Sequence, residues 1–225
     1  MEPRVLLFAT LFSVAFGTPG LAQRPNDGPR PASPSGVRPP MRPEPPERVH
    51  YLLAPQGNEA RYRVREQLAT FEFPSDAVGA TKDITGGLLV NEKGMIVPDS
   101  SRFVIDLKTL TSNEARRDRF LQRNTLKTDS FPEAIFVPTG IKDLPRAPTG
   151  VPASFQLVGN LTVHGVTRPS VWDVTVKQAG PDAAGFASTT FSFADFGLEV
   201  PKLSILLSVK DTIRLEYDFH LVRGP

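Results

Sequence analysis

The stretch LTVHGVTRP, Leu161 to Pro169, carries one of three histidines in the chain. A histidine beside a glycine, a threonine and a proline-ended turn is equipped for general-base work or for metal ligation, so His164 is the first residue to weigh. It lacks recognisable helpers. His50 and His220 show none of the close spacings of a zinc or haem site, and the chain has no cysteine to supply a thiolate. Acidic residues are scattered, with no carboxylate pair evident from spacing. There is no G-x-S-x-G elbow, no glycine-rich phosphate loop and no dinucleotide fingerprint. Neither a catalytic residue nor a metal site is expected. A serine–histidine–aspartate set assembled in space is the one enzymatic reading left open.

A second cluster is electrostatic. Arg116, Arg117, Arg119 and Arg123 fall in TSNEARRDRFLQRN. They can meet an anionic head group or a membrane surface, or form a solvated helix face paired with Glu114 and Asp118. Thr111 and Glu114 stand in T-x-x-E spacing, which predicts a capping box and a single helix over residues 112–123. The net charge of +2 is too small to point to nucleic acid, and no nucleic-acid partner is expected.

These groups must be positioned by strands. RFVIDLKTL alternates Phe103, Ile105 and Leu107 against charged residues. SFQLVGNLTV places Phe155, Leu157, Leu161 and Val163 on one side, and VWDVTVK does so with Trp172, Val174 and Val176. STTFSF sets Thr189, Phe191 and Phe193 against Ser188, Thr190 and Ser192. DTIRLEYDFHLV alternates Ile213, Leu215, Tyr217, Phe219 and Leu221 with polar residues. A period of two with one apolar side means half-buried antiparallel strands. ARYRVREQLATF and ITGGLLV read as further strands. About eight such strands with one apolar face tend to close on themselves and so remove their edges. The predicted fold is all-β, an eight-stranded antiparallel barrel with one inserted helix. Its interior is wide enough for side chains or for one slender ligand, and both fillings fit the pattern.

The N-terminal residues differ. Arg4, an apolar run from Val5 to Phe16 and small residues at Gly20 and Ala22 read as a secretory leader over 1–22, with an uncleaved surface anchor as the alternative. Residues 23–50 are rich in proline and arginine and are expected to form an extended, disordered spacer, with the folded domain at 51–225. Export to a periplasmic, extracellular or cell-envelope location follows from the leader.

Three blocks carry a family resemblance: SRFVIDLKTLTSNEARRDRFLQRNTLKTDSFPEAIF, VGNLTVHGVTRPSVWDVTV and FSFADFGL, in that order. Together they resemble the YceI-like family of exported, lipocalin-like proteins associated with polyisoprenoid lipids. The first strand region, YLLAPQGNEARYRVREQL, lacks the histidine of that family's usual opening. The resemblance implies a barrel around an elongated apolar pore. It implies a non-enzymatic binding or carrier protein for a long-chain amphiphile: a polyisoprenoid, an isoprenoid quinone or a fatty derivative. The candidate lining is Phe103, Ile105, Leu107, Phe136, Leu157, Leu161, Trp172, Val174, Phe191, Phe193, Leu215, Tyr217 and Phe219. No cofactor is expected other than such a bound lipid. Peripheral membrane contact, and monomer or homodimer, are left open. The alternative is a cell-envelope stress or interaction module with a packed barrel, and the third reading is a hydrolase acting on a lipid. His164, in this frame, turns a hairpin and points outward or caps the turn through its ring.

Overall fold

The computed structural model describes residues 48–145 and 150–224. The expected leader, and the proline-rich run up to residue 47, lie outside the described residues. The chain order is β1 (Val49–Leu53), β2 (Glu59–Leu68), β3 (Ser75–Thr81), β4 (Ile84–Val90), β5 (Arg102–Asp106), β6 (Thr111–Ser112), α1 (Ala115–Phe120), β7 (Glu133–Lys142), β8 (Ala153–Val163), β9 (Val166–Ala179), β10 (Asp182–Phe191) and β11 (Leu206–Arg223). β1 takes in Val49 and His50, which the composition assigns to the spacer.

Among the described residues these segments make eight antiparallel staves. β1 and β2 run end to end beside the long β11, with Tyr51 opposite Arg223 and Tyr62 opposite Leu215. β4 and β3 follow alongside them, then β5 and β6. β7, β8, β9 and β10 complete the circuit back to β11. Closure through β1 and β11 leaves only the two-residue β6 as a strand paired on one side, so the edge that a half-apolar meander of this size must remove is reduced to a short one. The break between β1 and β2 is pinned from β11. Asn58 Oδ1 accepts from the His220 amide at 3.0 Å and from the Tyr217 hydroxyl at 3.1 Å, while the Ala54 amide donates to the His220 carbonyl at 2.9 Å.

Two expected strands end earlier than their alternation suggests. β5 stops at Asp106, whose carboxylate accepts from the Lys108 amide at 2.8 Å and turns the chain into a short 3-10 segment, Leu107–Thr109. β10 stops at Phe191. Ser192 and Asp195 then form a reciprocal capping box over the 3-10 turn Phe193–Phe196. Leu107 and Phe193 still turn inward, but from turns rather than from strands.

The helix is also shorter than expected. α1 covers Ala115–Phe120 and continues as a π turn, Leu121–Thr125. The expected Thr111–Glu114 box does not form, because Thr111 and Ser112 are spent pairing β6 with Ala80 and Gly79. Glu114 itself caps the helix, its Oε1 accepting from the Arg116 amide at 3.0 Å. Asp118 is drawn back to the Ser112 amide at 3.0 Å and to the Ser112 hydroxyl. Neither acid is left to pair with the helix arginines, contrary to expectation.

The barrel has two unlike ends. At the helix end lie α1, the β2–β3 tip, the β8–β9 turn and the 3-10 turn Phe193–Phe196. At the other end lie the β4–β5 loop, the β7–β8 loop, the β9–β10 turn and the described termini, where the Gly224 amide donates to the His50 carbonyl.

Candidate functional site

The inner faces of the staves enclose a cavity of about 480 Å³. Each residue expected to line it stands on its wall: Phe103, Ile105 and Leu107 before the helix, Phe136 on β7, Leu157 and Leu161 on β8. Trp172 and Val174 on β9, Phe191 and Phe193 around the end of β10, and Leu215, Tyr217 and Phe219 on β11 complete the set. Aromatic rings meet across strands at edge or tilted angles, as with Phe136 and Trp172 at 5.4 Å and Phe103 and Tyr217 at 6.2 Å between centroids. The Trp172 indole donates to Ser170 Oγ at 3.2 Å, so the ring lies in the wall with its one polar atom matched.

The sequence reading missed several wall residues. Tyr51, Tyr62, Val64 and Leu88 come from β1, β2 and β4, while Leu121 opens the π turn and Leu126 directly follows it. The β2 signal was present: Ala60, Tyr62 and Val64 alternate with Arg61, Arg63 and Arg65. Leu121 and Leu126 carry no strand period and gave no such signal.

β2 also brings polarity inward, where the alternation promised almost none. Glu66 continues its inner face and is only 8% exposed. Arg117 reaches from α1 to meet it, Nη2 to Oε1 at 3.0 Å, and its Nη1 donates to Asn113 at 3.1 Å. So one of the four clustered arginines is a partly buried structural partner, while Arg116, Arg119 and Arg123 are exposed. Nearby, the Tyr62 ring lies flat over Gly79, its register partner on β3, where a Cβ would strike the ring. The Tyr62 hydroxyl is buried without a hydrogen-bond partner among the described residues. Burial pushes this phenol up to about 12, with the Arg117 charge pulling the other way. Burial also raises the Tyr217 phenol.

The opposite faces of the same strands carry an ion-pair ladder. Glu216 accepts from Arg63 Nε at 3.3 Å and from Arg214 Nε at 3.0 Å. Arg61 sits between Glu59 at 2.7 Å and Asp218, and Asp76 bridges Arg63 and Arg65. A second hollow of about 510 Å³, with a more polar lining, lies at the helix end of β9 and β10, lined by Arg168, Asp173, Asp195 and Arg214 among others.

His164 belongs to neither cavity. Val163 pairs with Val166, so His164 and Gly165 form a two-residue turn, with φ of 51° and 74°. Both values suit the primed hairpin turns that follow strand twist. The ring does not point outward or cap the turn, as expected. It packs edge-on against Phe131, centroids 4.5 Å apart, and its Nε2 is buried without a hydrogen-bond partner among the described residues. Phe131 lies across the turn closely enough that a Cβ on Gly165 would come 2.7 Å from its Cε1, which explains why the imidazole is held down. His220 faces out, with Nε2 3.3 Å from Asp182 Oδ2.

The cavity opens at the end away from the helix. Gly94, Leu144 and Gln178 line it and are exposed, whereas at the helix end Leu107, Leu110, Thr125 and Leu198 are buried and Leu121 and Leu126 are half-buried. Chemically the arrangement is a one-mouthed apolar sleeve.

Comparison with known proteins gives a consistent neighbourhood. A family model described as a YceI-like domain matches residues 51–221. A UPF0312 protein of Pseudomonas putida is 38% identical over 113 residues, and one of Pseudomonas fluorescens is 36% identical over 113 residues. Each match covers 46% of this chain and 56% of the relative, so the chain spans about half the length of the curated relatives it matches. Among solved structures, a polyisoprenoid binding domain from Saccharophagus degradans, implicated in plant cell wall breakdown, superposes with a TM-score of 0.60 at 13% identity. That match covers 78% of this chain and 98% of the domain. BcnA from Burkholderia cenocepacia gives 0.53 at 16% identity, over 72% of this chain and 95% of that one. A YceI protein from Campylobacter jejuni gives 0.53 at 16%, over 71% and 91%. At these identities the structural likenesses establish the fold.

Proposed function

Because the chain belongs to the YceI-like domain family, we propose that it is a non-enzymatic carrier that holds one long-chain amphiphilic lipid in its barrel, and that it works after export from the cytoplasm. The ligand class is a polyisoprenoid, an isoprenoid quinone or a fatty derivative. One observation carries the reading: the closed barrel encloses an apolar, one-mouthed cavity of about 480 Å³. That volume falls in the range of small-molecule sites. A lipid tail gains about 25 cal/mol for each square ångström it buries, so a sleeve with few polar groups can hold it firmly. The printed description of the Saccharophagus degradans neighbour as a polyisoprenoid binding domain supports the ligand class. The apolar run from Val5 to Phe16 supports export.

The test is extraction. Protein purified from cell envelopes without harsh detergent is expected to release a stoichiometric long-chain lipid into organic solvent, identified by mass spectrometry. Stripped protein is expected to take the same class back up. A chain that carries nothing and binds no long-chain lipid when titrated overturns the proposal.

A further inference from the structure

The mouth of the cavity is built as a docking rim. Two loops frame it. In the β4–β5 loop the Asn91 side chain accepts from the Lys93 and Met95 amides at 2.9 Å and 3.0 Å, and the Asn91 amide donates to the Met95 carbonyl at 2.8 Å. This knot presents Met95 to solvent, 54% exposed, beside Gly94 of the cavity wall. In the β7–β8 loop Leu144 is 55% exposed and Val151 is 50% exposed. Leu144 lines the cavity as well. The Gly150 amide ties that loop to the Gln178 carbonyl at 2.8 Å. Leu144 therefore belongs both to the cavity wall and to the outer surface.

The charges at this end are uneven. Lys93, Lys142 and Lys177 are exposed and make no ion pair among the described residues. Of the acids there, Glu92 faces Arg48 and Asp182 faces His220, which leaves Asp99 and Asp143 as the opposing carboxylates among the described residues. An apolar lip ringed by cations is complementary to an anionic bilayer, in which the lip enters the acyl boundary and the ammonium groups stay at the phosphates.

We propose that Lys93 and Met95 of the β4–β5 loop, Lys142 and Leu144 around the end of β7, and Lys177 near the end of β9 form the surface through which the protein docks on an anionic lipid bilayer to load or unload its ligand. This rests on the carrier reading. A second apolar group, Phe71 and Phe73 on the β2–β3 tip with Leu207 nearby, lies at the helix end, remote from the mouth, and serves as the internal control.

The experiment is flotation of the full chain with vesicles of phosphatidylcholine, with and without phosphatidylglycerol. A fluorescent long-chain lipid is offered in parallel from detergent. The wild type is expected to float with the anionic vesicles and to be released by salt. The triple variant Lys93→Glu, Lys142→Glu, Lys177→Glu and the single variant Met95→Ser are expected to lower partitioning, the triple by at least about tenfold, and both are expected to retain uptake from detergent. Absence of wild-type binding, equal binding to neutral vesicles, or binding lost in Phe71→Ser/Phe73→Ser but kept in the rim variants overturns the docking proposal. Failure of the wild type to take up lipid from detergent overturns the carrier reading instead, and the vesicle result still judges the rim.

Discussion

Arg117 Nη2 lies 3.0 Å from Oε1 of Glu66, joining the short helix to the inner face of β2 at the closed end of the barrel. The two residues are 51 positions apart in the chain. The carboxylate would otherwise stand as a charge on an apolar wall, so this pair fastens the helix over that end.

Removing one partner should therefore be worse than removing both. Arg117→Ala is expected to cost about 3 kcal/mol, because it strands a buried charge, and Glu66→Leu/Arg117→Leu is expected to recover most of that. Urea unfolding of the single and double variants measures the difference. Equal stability in all three would mean that the pair is not coupled to folding.

His164 is expected to be dispensable for binding and Gly165 to matter for stability. His164→Asn keeps a residue tolerant of positive φ and should leave lipid affinity within about twofold. Gly165→Val puts a β-branched residue at a φ of 74° and against Phe131, and should lose about 2 kcal/mol. Thermal melts and lipid titration separate the two effects.

A hollow barrel and a packed one respond oppositely to added volume. Ala187 is buried on β10 and lines the cavity. Ala187→Phe is expected to lower lipid affinity at least about tenfold while leaving the melting temperature nearly unchanged. In a filled core the same change strains the packing by about 1–3 kcal/mol. Calorimetry and titration on one sample decide between them.

The ladder outside the barrel predicts acid sensitivity. Burial alone would raise the Glu216 carboxyl, but hydrogen bonds and charge from Arg63 and Arg214 outweigh it and hold it below its ordinary 4.5. Its contribution is present above the unfolded value and is lost as pH falls through the lower folded value. Stability should drop below about pH 4.5, and Glu216→Gln should flatten that limb. At the alkaline side the Tyr62 phenol, pushed up to about 12, holds its proton more tightly when folded. Stability should decline from about pH 10 upward, less so in Tyr62→Phe. Denaturant midpoints across pH test both limbs.

The sequence made the staves legible because each has one wet and one dry side. β11 is the clearest, with Ile213 to Leu221 alternating against Arg214 to His220. Where hydrogen bonding rather than burial decides, the period misleads. Asp106 and Ser192 each end a strand that alternation would have continued through Leu107 and Phe193. The helix start was misplaced because Thr111, a plausible cap, had a sheet partner in Ala80 that no local pattern displays. His164 reads as outward by alternation, yet Phe131, far along the chain, holds it down. Alternation also reports which side chains face inward but not how far they reach across, so the hollow itself had to come from three dimensions.

That hollow has a mouth at one end and buried residues at the other, and for a linear guest such a shape is a gauge. A chain shorter than the sleeve gains with each added carbon, about 0.8 kcal/mol per methylene buried. A longer chain gains nothing more, because its excess stays outside. The guest also leaves by the way it came, so nothing can push it out from behind. Its release is governed by whatever apolar phase waits at the mouth, and in that respect the barrel behaves less like a pipe than like a syringe barrel without a plunger.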